Sequence, residues 1–391
     1  MVPPEIAATS PPMRRCASQE KHLNPLFQHY PDLEPKLPYV TLAGWPTPVE
    51  RLPGLERSTG ASALYLKRDD TAGDRYGGNK LRKLEYLLAQ AKQRGARRVL
   101  TFGAYGSNHA LATAVHARAL GLGSISMLVP QVPSTKACRN LLASHAAGAE
   151  LHHYAGEHDI SNAVRYQLAR HEQRDGVAPV VVPGGGSSAL GALGFVAAAF
   201  ELRAQIAAGE LPEPSRIYLP LGTTGTAAGL ALGLRLAGIE STLVAVRVTH
   251  SNFGNQARMM RLIRETSALL HHTDSAITQV AAEECRVQIR HDFYGGEYAR
   301  YTDASLDAVR RAYADDGIRL EGTYTGKAMA AMLADLESDA GHAGPVLFWN
   351  TYNSLPLSVD WRNYRALPQA FHRYFEQDTQ ALDAAMEGVF A

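Results

Sequence analysis

Short apolar and β-branched runs recur along the chain, separated by longer segments with helical patterning. The runs are Ala63 to Lys67, Arg98 to Phe102, Ser124 to Val129, Val180 to Val182, Ile217 to Leu221, Leu243 to Val248 and Val346 to Trp349. Their length and side-chain type predict strands. Helix-length segments between consecutive strands force crossovers, so the strands run parallel and are covered on both faces. The fold class is therefore α/β, an architecture in which ligands sit at the carboxyl ends of strands. Leu81 to Ala91 places Leu84, Leu87 and Leu88 on one helical face. Further helices are predicted from Ser107-Asn108 to about Leu120 and over Leu230 to Leu236, and Val196 to Ala199 is a run of good helix formers. Met1 to about Leu37 is Pro-rich and weakly periodic and reads as an arm. His271 to Ile289 reads as a solvated loop, and its His271-His272 pair has no third ligand at helical spacing, so no metal is expected.

Composition narrows the function classes. A chain of 391 residues exceeds what one core usually organises, so two domains, or one with a substantial lobe, are expected. Hydrophobic residues at 46% and charged residues at 20% are ordinary for a globular chain. The formal net charge is +1 with Lys and Arg dispersed, which leaves no footprint for nucleic acid and favours a small-molecule substrate. Cys16, Cys138 and Cys285 are odd in number and far apart, so neither disulfides nor a thiolate metal site is implied. The first residues lack a signal-peptide pattern, and no later stretch reads as long and charge-free enough to span a bilayer; a cytoplasmic location is the default.

Four clusters are candidates for chemistry, and each also has a bland reading. Gly77-Gly78-Asn79-Lys80 puts Lys80 at a helix start, where the positive end of the helix dipole disfavours ammonium and favours a nucleophilic amine; alternatively Lys80 is a solvated surface lysine. Gly106-Ser107-Asn108-His109 follows a strand and opens a helix, as either an anion site or an ordinary cap. Gly222-Thr223-Thr224-Gly225-Thr226-Ala227-Ala228-Gly229 also joins a strand to a helix. Its small and hydroxylated residues suit a monophosphate better than a nucleotide, because it matches neither the P-loop nor the GxGxxG spacing; close helix packing is the alternative. In Tyr324-Thr325-Gly326-Lys327, Thr325 either caps a helix or faces a ligand.

Taken together, these clusters resemble the pyridoxal-phosphate enzymes of the tryptophan-synthase β fold, and more narrowly the D-cysteine desulfhydrase and 1-aminocyclopropane-1-carboxylate deaminase family. The resemblance runs from about Leu42 to Leu357 and includes Lys67-Arg68-Asp69-Asp70, Gly77 to Glu85, Ser107-Asn108-His109, Pro183 to Phe195, Gly222 to Leu230 and Tyr324 to Met329. It implies a two-lobed fold type II enzyme, each lobe a mainly parallel sheet covered by helices. The arm would be 1–37, the large cofactor-binding domain 38–82 with 196–391, and the small domain 83–195. It implies pyridoxal 5'-phosphate on Lys80 as an imine, with Lys83 as an added phosphate contact and Thr223, Thr224, Gly225 and Thr226 as the phosphate cradle. Asn108 would meet the ring hydroxyl, Thr325 the pyridine nitrogen, and the backbone of Ser107, Asn108 and His109 the substrate carboxylate. Ser107 and Tyr324 would be catalytic beside Lys80. The implied reaction is α,β-elimination of a small amino acid to a keto acid and ammonia by a homodimer.

Departures from the family pattern bear on the substrate. Family members that open the cyclopropane carry Glu where this chain has Thr325, and Glu keeps the pyridine nitrogen protonated; a hydroxyl favours elimination of a good leaving group. Gly106 stands in place of Gln, Ala110 and Leu111 in place of a nearby Arg, and Glu321-Gly322-Thr323 in place of Asp-Pro-Val. Asn350-Thr351-Tyr352-Asn353 replaces His-Thr-Gly-Gly, so Tyr352 adds bulk and a hydroxyl to the substrate pocket. D-Cysteine-like substrates, including cysteate-like ones with an anionic leaving group, are expected. Ring opening, β-replacement and a binding protein without turnover are the alternatives.

Overall fold

The computed structural model describes residues 24–156, 160–338 and 344–390. Among the described residues, ten strands form two sheets. The larger sheet contains β1 (Val49–Arg51), β2 (Leu64–Lys67), β7 (Arg216–Leu221), β8 (Thr242–Arg247), β9 (Val287–Arg290) and β10 (Val346–Trp349), in the order β1-β2-β10-β7-β8-β9. Only β1 runs antiparallel to its neighbour. The smaller sheet, all parallel, is β5 (Glu150–His153), β4 (Gly123–Val129), β3 (Arg98–Ala104) and β6 (Val180–Val181). The helices are α1 (Pro25–His29), α2 (Pro53–Thr59), α3 (Lys80–Gln93), α4 (Asn108–Ala119), α5 (Thr135–Ala146), α6 (Ile160–Asp175), α7 (Ala189–Ala207), α8 (Gly225–Leu236), α9 (Gln256–Thr273), α10 (Asp303–Asp316), α11 (Thr325–Glu337), α12 (Arg373–Glu376) and α13 (Asp383–Glu387).

The near-continuous apolar runs follow from burial on both sheet faces. Ile217, Leu219, Leu243, Ala245, Leu347 and Trp349 pack into one core with α7, α8 and α9, while Tyr218, Val244, Val246 and Phe348 point into a second core with α10 and α11. Alternate residues of the same strand thus serve opposite layers.

Helix α7 organises the parts that carry the site. A Cβ built on Gly194 would lie 2.0 Å from the Arg82 carbonyl oxygen, and one on Gly229 would lie 2.2 Å from that of Ala192. Only a hydrogen fits at these crossings, so α3 and α8 both approach α7 at backbone contact. A buried charge network locks α3 in place. Arg82 reaches Asp69 at 2.7 Å and Glu201 at 2.9 Å, Lys67 pairs with Glu201, and Trp45 stacks 3.9 Å from the guanidinium. Burial alone would raise the Glu201 carboxyl, but Arg82 and Lys67 hold it down at about 2. Most of the Lys67-Arg68-Asp69-Asp70 motif is therefore scaffold.

Several sequence expectations require correction. The segment His271 to Ile289 is not one solvated loop: α9 extends through Thr273, and the edge strand β9 begins at Val287. Its polar, half-exposed residues hide the strand pattern. The His271 ring bonds to the Ile277 carbonyl at 2.8 Å, and the described residues contain no cluster of metal-ligating side chains. One stretch does have the length and apolarity to cross a membrane, namely α7, which here packs in the core. α8 begins at Gly225 rather than Leu230, because the Gly- and Thr-rich residues are themselves its first turn. The described part of the arm, 24–37, is not free: Leu26, Phe27 and Leu33 are buried in the core that contains α7. Cys16 lies outside the described residues, and Cys138 and Cys285 are free thiols.

Candidate active site

A cavity of about 350 Å³ opens where β3, β4 and β7 end and where α3, α4, α8 and α11 begin. Every residue given a cofactor, substrate or catalytic role from the sequence lines it: Lys80, Lys83, Ser107, Asn108, His109, Thr223, Thr224, Gly225, Thr226, Tyr324, Thr325 and Tyr352. The crossover topology brings these distant motifs to one end of the two sheets.

Lys80 is the first residue of α3. The turn before it rides on the backbone of residues 351–352: Gly78 has φ +91°, and a Cβ there would lie 2.5 Å from the Tyr352 carbonyl oxygen. Burial brings the Lys80 ammonium down to about 8, which readies it to lose a proton. Lys83, one turn on, donates to the Gly185 carbonyl at 2.9 Å. Burial first, and the neighbouring Lys80 charge second, push its ammonium well below the usual range, and an arriving anion would reverse that.

The turn before α8 is shaped as a cradle. Thr224 sits in the left-handed region at φ +71°, a strained conformation for a β-branched residue that costs about 1–3 kcal/mol and clusters at ligand sites. The first intrahelical bond is from the Ala228 N–H to the Thr224 carbonyl at 2.9 Å, which leaves the N–H groups of Thr226 and Ala227 ahead of it. Ser187 Oγ accepts from the Gly225 N–H at 3.1 Å and contacts Thr223 Oγ1 at 2.8 Å. A Cβ on Gly185 would fall 2.1 Å from Thr223 Oγ1, and one on Gly225 would fall 2.6 Å from Ser187 Oγ. Asn79 ties the starts of α3 and α8 together by donating to Thr226 Oγ1 at 2.9 Å. Sequence reasoning gave Ser187, Gly185 and Asn79 no role, although Gly185 and Ser187 lie in the Pro183 to Phe195 motif and Asn79 stands beside Lys80.

At α4, Ser107 is the cap, accepting from the Ala110 N–H at 3.2 Å, and it keeps its O–H to donate. Asn108 Oδ1 receives Lys136 Nζ at 2.8 Å, Asn140 Nδ2 at 2.8 Å and the Tyr76 hydroxyl at 3.2 Å. Its oxygen is saturated, so its amide N–H₂ is what it can offer a ligand. The His109 ring is buried, and neither of its nitrogens has a partner. Burial, then Lys80 and Lys83, push its pKa well down, so it is neutral. Gly106 fits because a Cβ there would meet that of Ala137 at 2.5 Å; α5 leaves no room for a Gln side chain.

Thr325 is the first residue of α11 and does not cap it. Glu321 does, accepting from the N–H groups of Thr323 at 3.0 Å, Tyr324 at 2.6 Å and Thr325 at 3.0 Å. Thr325 Oγ1 accepts from the Glu321 N–H at 3.0 Å, so its own proton is left to donate. Tyr324 makes a short hydroxyl contact with Tyr298, which the sequence did not reveal because it comes from an irregular segment. Burial raises both phenols, Tyr298 to about 12 and Tyr324 well above its usual value, so both hold their protons. The Tyr352 ring faces the cavity with the Lys136 ammonium 5.2 Å from its centre.

A family model described as pyridoxal-phosphate dependent enzyme matches residues 40–351. The chain belongs to this family. It is 34% identical over 323 residues to a D-cysteine desulfhydrase of Salmonella choleraesuis, covering 81% of this chain and 94% of that one. A solved structure of an ACC deaminase homologue is 33% identical, with TM-score 0.70, covering 82% of this chain and 93% of its own. Threonine deaminase isoform 2 from Solanum lycopersicum, at 17% identity and TM-score 0.55, covers 90% of this chain and 92% of its own and shares the fold. The family is that of fold type II pyridoxal-phosphate enzymes, and its cofactor is pyridoxal phosphate.

The residues present fit this cofactor. The cradle is kept open by two glycines whose side-chain positions are already filled, and it faces Lys83 across the Gly185 carbonyl. An unpartnered imidazole and a depressed lysine share the same cavity.

Proposed function

We propose that this enzyme performs α,β-elimination on a small amino acid, releasing a keto acid and ammonia. The observation that carries the reading is the depressed Lys80 amine, placed in one cavity with two helix starts that can receive anions. When bound, pyridoxal phosphate supplies an aldehyde for amines and a ring that delocalises negative charge from the substrate α-carbon. Lys80 would hold the cofactor, and its amine would accept the Cα proton of the substrate. The N–H groups and hydroxyls of Thr223 to Thr226, with Lys83, hold the phosphate. The Asn108 amide would donate towards the cofactor's ring hydroxyl, and the Thr325 hydroxyl would face its pyridine nitrogen. The Ser107, Asn108 and His109 N–H groups orient the substrate carboxylate. Tyr324, supported by Tyr298, delivers a proton to the leaving group, with Ser107 as a second donor, and Tyr352 shapes the substrate side of the pocket.

Thr325 favours elimination over ring opening. Its oxygen accepts from the Glu321 N–H and its proton is available to donate, and a neutral hydroxyl would not supply the charge that holds a pyridine nitrogen protonated. Keto-acid release from amino acids by the purified protein, abolished in Lys80→Ala, tests the reading; a new amino acid formed from added thiol would instead mean replacement. The partition into a domain of 83–195 and one of 38–82 with 196–391, and a cytoplasmic homodimer, belong to the same proposal. They rest on the family resemblance, and sedimentation tests the dimer.

A further inference from the structure

We propose that the amino acid taken by this site carries a neutral, apolar substituent on its β-carbon, of the S-alkyl or S-aryl cysteine kind, and not an anionic one. This rests on the lyase reading above. With Lys80 and the α8 turn committed to the cofactor and the start of α4 to the carboxylate, the substituent is left the remaining walls of the cavity. These include Phe102 and Val129 at the ends of β3 and β4, Ile160 at the start of α6, and Phe253 after β8, together with the tyrosines of the catalytic side and the polar Thr249, His250 and Thr351. The first four are apolar and come from both sheets' sides of the cleft.

Charge points the same way. Among the described lining residues the cations are Lys80 and Lys83, both already used. The His109 ring is neutral. The remaining formal charge in the wall is Glu321, whose carboxylate is 4% exposed. Its field contributes to raising Tyr298, Tyr324 and Tyr352. A sulfonate, carboxylate or phosphate on Cβ would therefore be set between the apolar wall and the Glu321 carboxylate. Lys136 lies outside the lining of this cavity, its ammonium donating to Asn108 Oδ1 at 2.8 Å.

The step balances without an oxidant or reductant. Lys80 takes the Cα proton, the Cβ–S bond breaks with both electrons going to sulfur, and the Tyr324 hydroxyl protonates the sulfur so that it leaves as a neutral thiol. Water hydrolyses what remains to pyruvate and ammonia, and the proton on Lys80 returns to Tyr324 through solvent. A phenol that is protonated at rest has a proton to give as the C–S bond breaks.

The test is pyruvate release by the holoenzyme from both enantiomers of β-chloroalanine, S-ethylcysteine, S-benzylcysteine and cysteate. β-Chloroalanine leaves as chloride and reports on the lyase reading alone. The expected result is turnover of β-chloroalanine, with kcat/KM for S-ethylcysteine or S-benzylcysteine exceeding that for cysteate on the order of a hundredfold. Phe253→Lys, which adds a cation to the wall, should narrow that ratio by about tenfold or more. Turnover of β-chloroalanine with cysteate equal to or better than both thioethers overturns the inference and leaves the lyase reading standing. A ratio unmoved in Phe253→Lys, with β-chloroalanine still turned over, overturns the assignment of Phe253 to the substituent wall. No keto acid from any of these amino acids overturns the lyase reading, and this inference falls with it.

Discussion

At the scale of single residues the site is organised by what burial does to its amines and phenols. The Lys80 ammonium is brought to about 8 by burial, so in the apoenzyme the reactive neutral amine accumulates as pH rises towards that value. The rate of covalent cofactor uptake, followed by stopped-flow absorbance, should climb about tenfold per pH unit below about pH 8 and level off above it. Thr325→Glu should strengthen the sink by protonating the pyridine nitrogen, and a rise in ring-opening of 1-aminocyclopropane-1-carboxylate relative to β-elimination would show it. Lys80 and Tyr324 were legible in the sequence because their Gly-Lys and Tyr-Thr neighbours form motifs. Tyr298 and Glu321 were not, because they act through a hydroxyl contact and a helix cap that only the folded chain creates. The sequence argument placed Lys80 at a helix start, which the fold shows, and burial in the folded chain also lowers its ammonium.

At the scale of elements, close approach decides where the site can form. Gly185→Ala and Gly225→Ala would each drive a methyl group into Thr223 or Ser187 and close the cradle. Each should weaken pyridoxal-phosphate affinity by about tenfold to a hundredfold in a fluorescence titration, with far-ultraviolet circular dichroism unchanged. The scaffold behind Lys80 responds differently. Glu201→Gln leaves Arg82 and Lys67 sharing one carboxylate, and urea unfolding should show a loss of about 3–5 kcal/mol, as for other broken buried ion networks. The central strands and the helices at the site were readable because both faces of the sheets are buried and their apolar runs are nearly unbroken. β1, β5 and β9 were not, since these short strands have exposed or half-exposed residues and lie at sheet edges, where alternation is weak.

At the scale of the molecule, two parallel sheets bring their strand ends to one cavity, and residues from helix starts spread along most of the chain meet there. A cofactor held across those starts stabilises the folded state through its contacts with several of them. Reconstitution with pyridoxal phosphate at a hundred times its Kd should add about 2.7 kcal/mol and raise the melting temperature. The α/β class and the meeting of the four motifs were legible because crossovers leave few topologies open. The packing of residues 24–37 was not, because Pro-rich sequence carries no period even where it buries Leu26 and Phe27. The central claim, that Lys80 carries the cofactor, is tested most directly by borohydride reduction of the holoenzyme followed by peptide mass mapping. The expected result is a single pyridoxyl adduct on Lys80, absent from Lys80→Ala; an adduct on Lys83 or any other lysine, or no adduct at all, contradicts it.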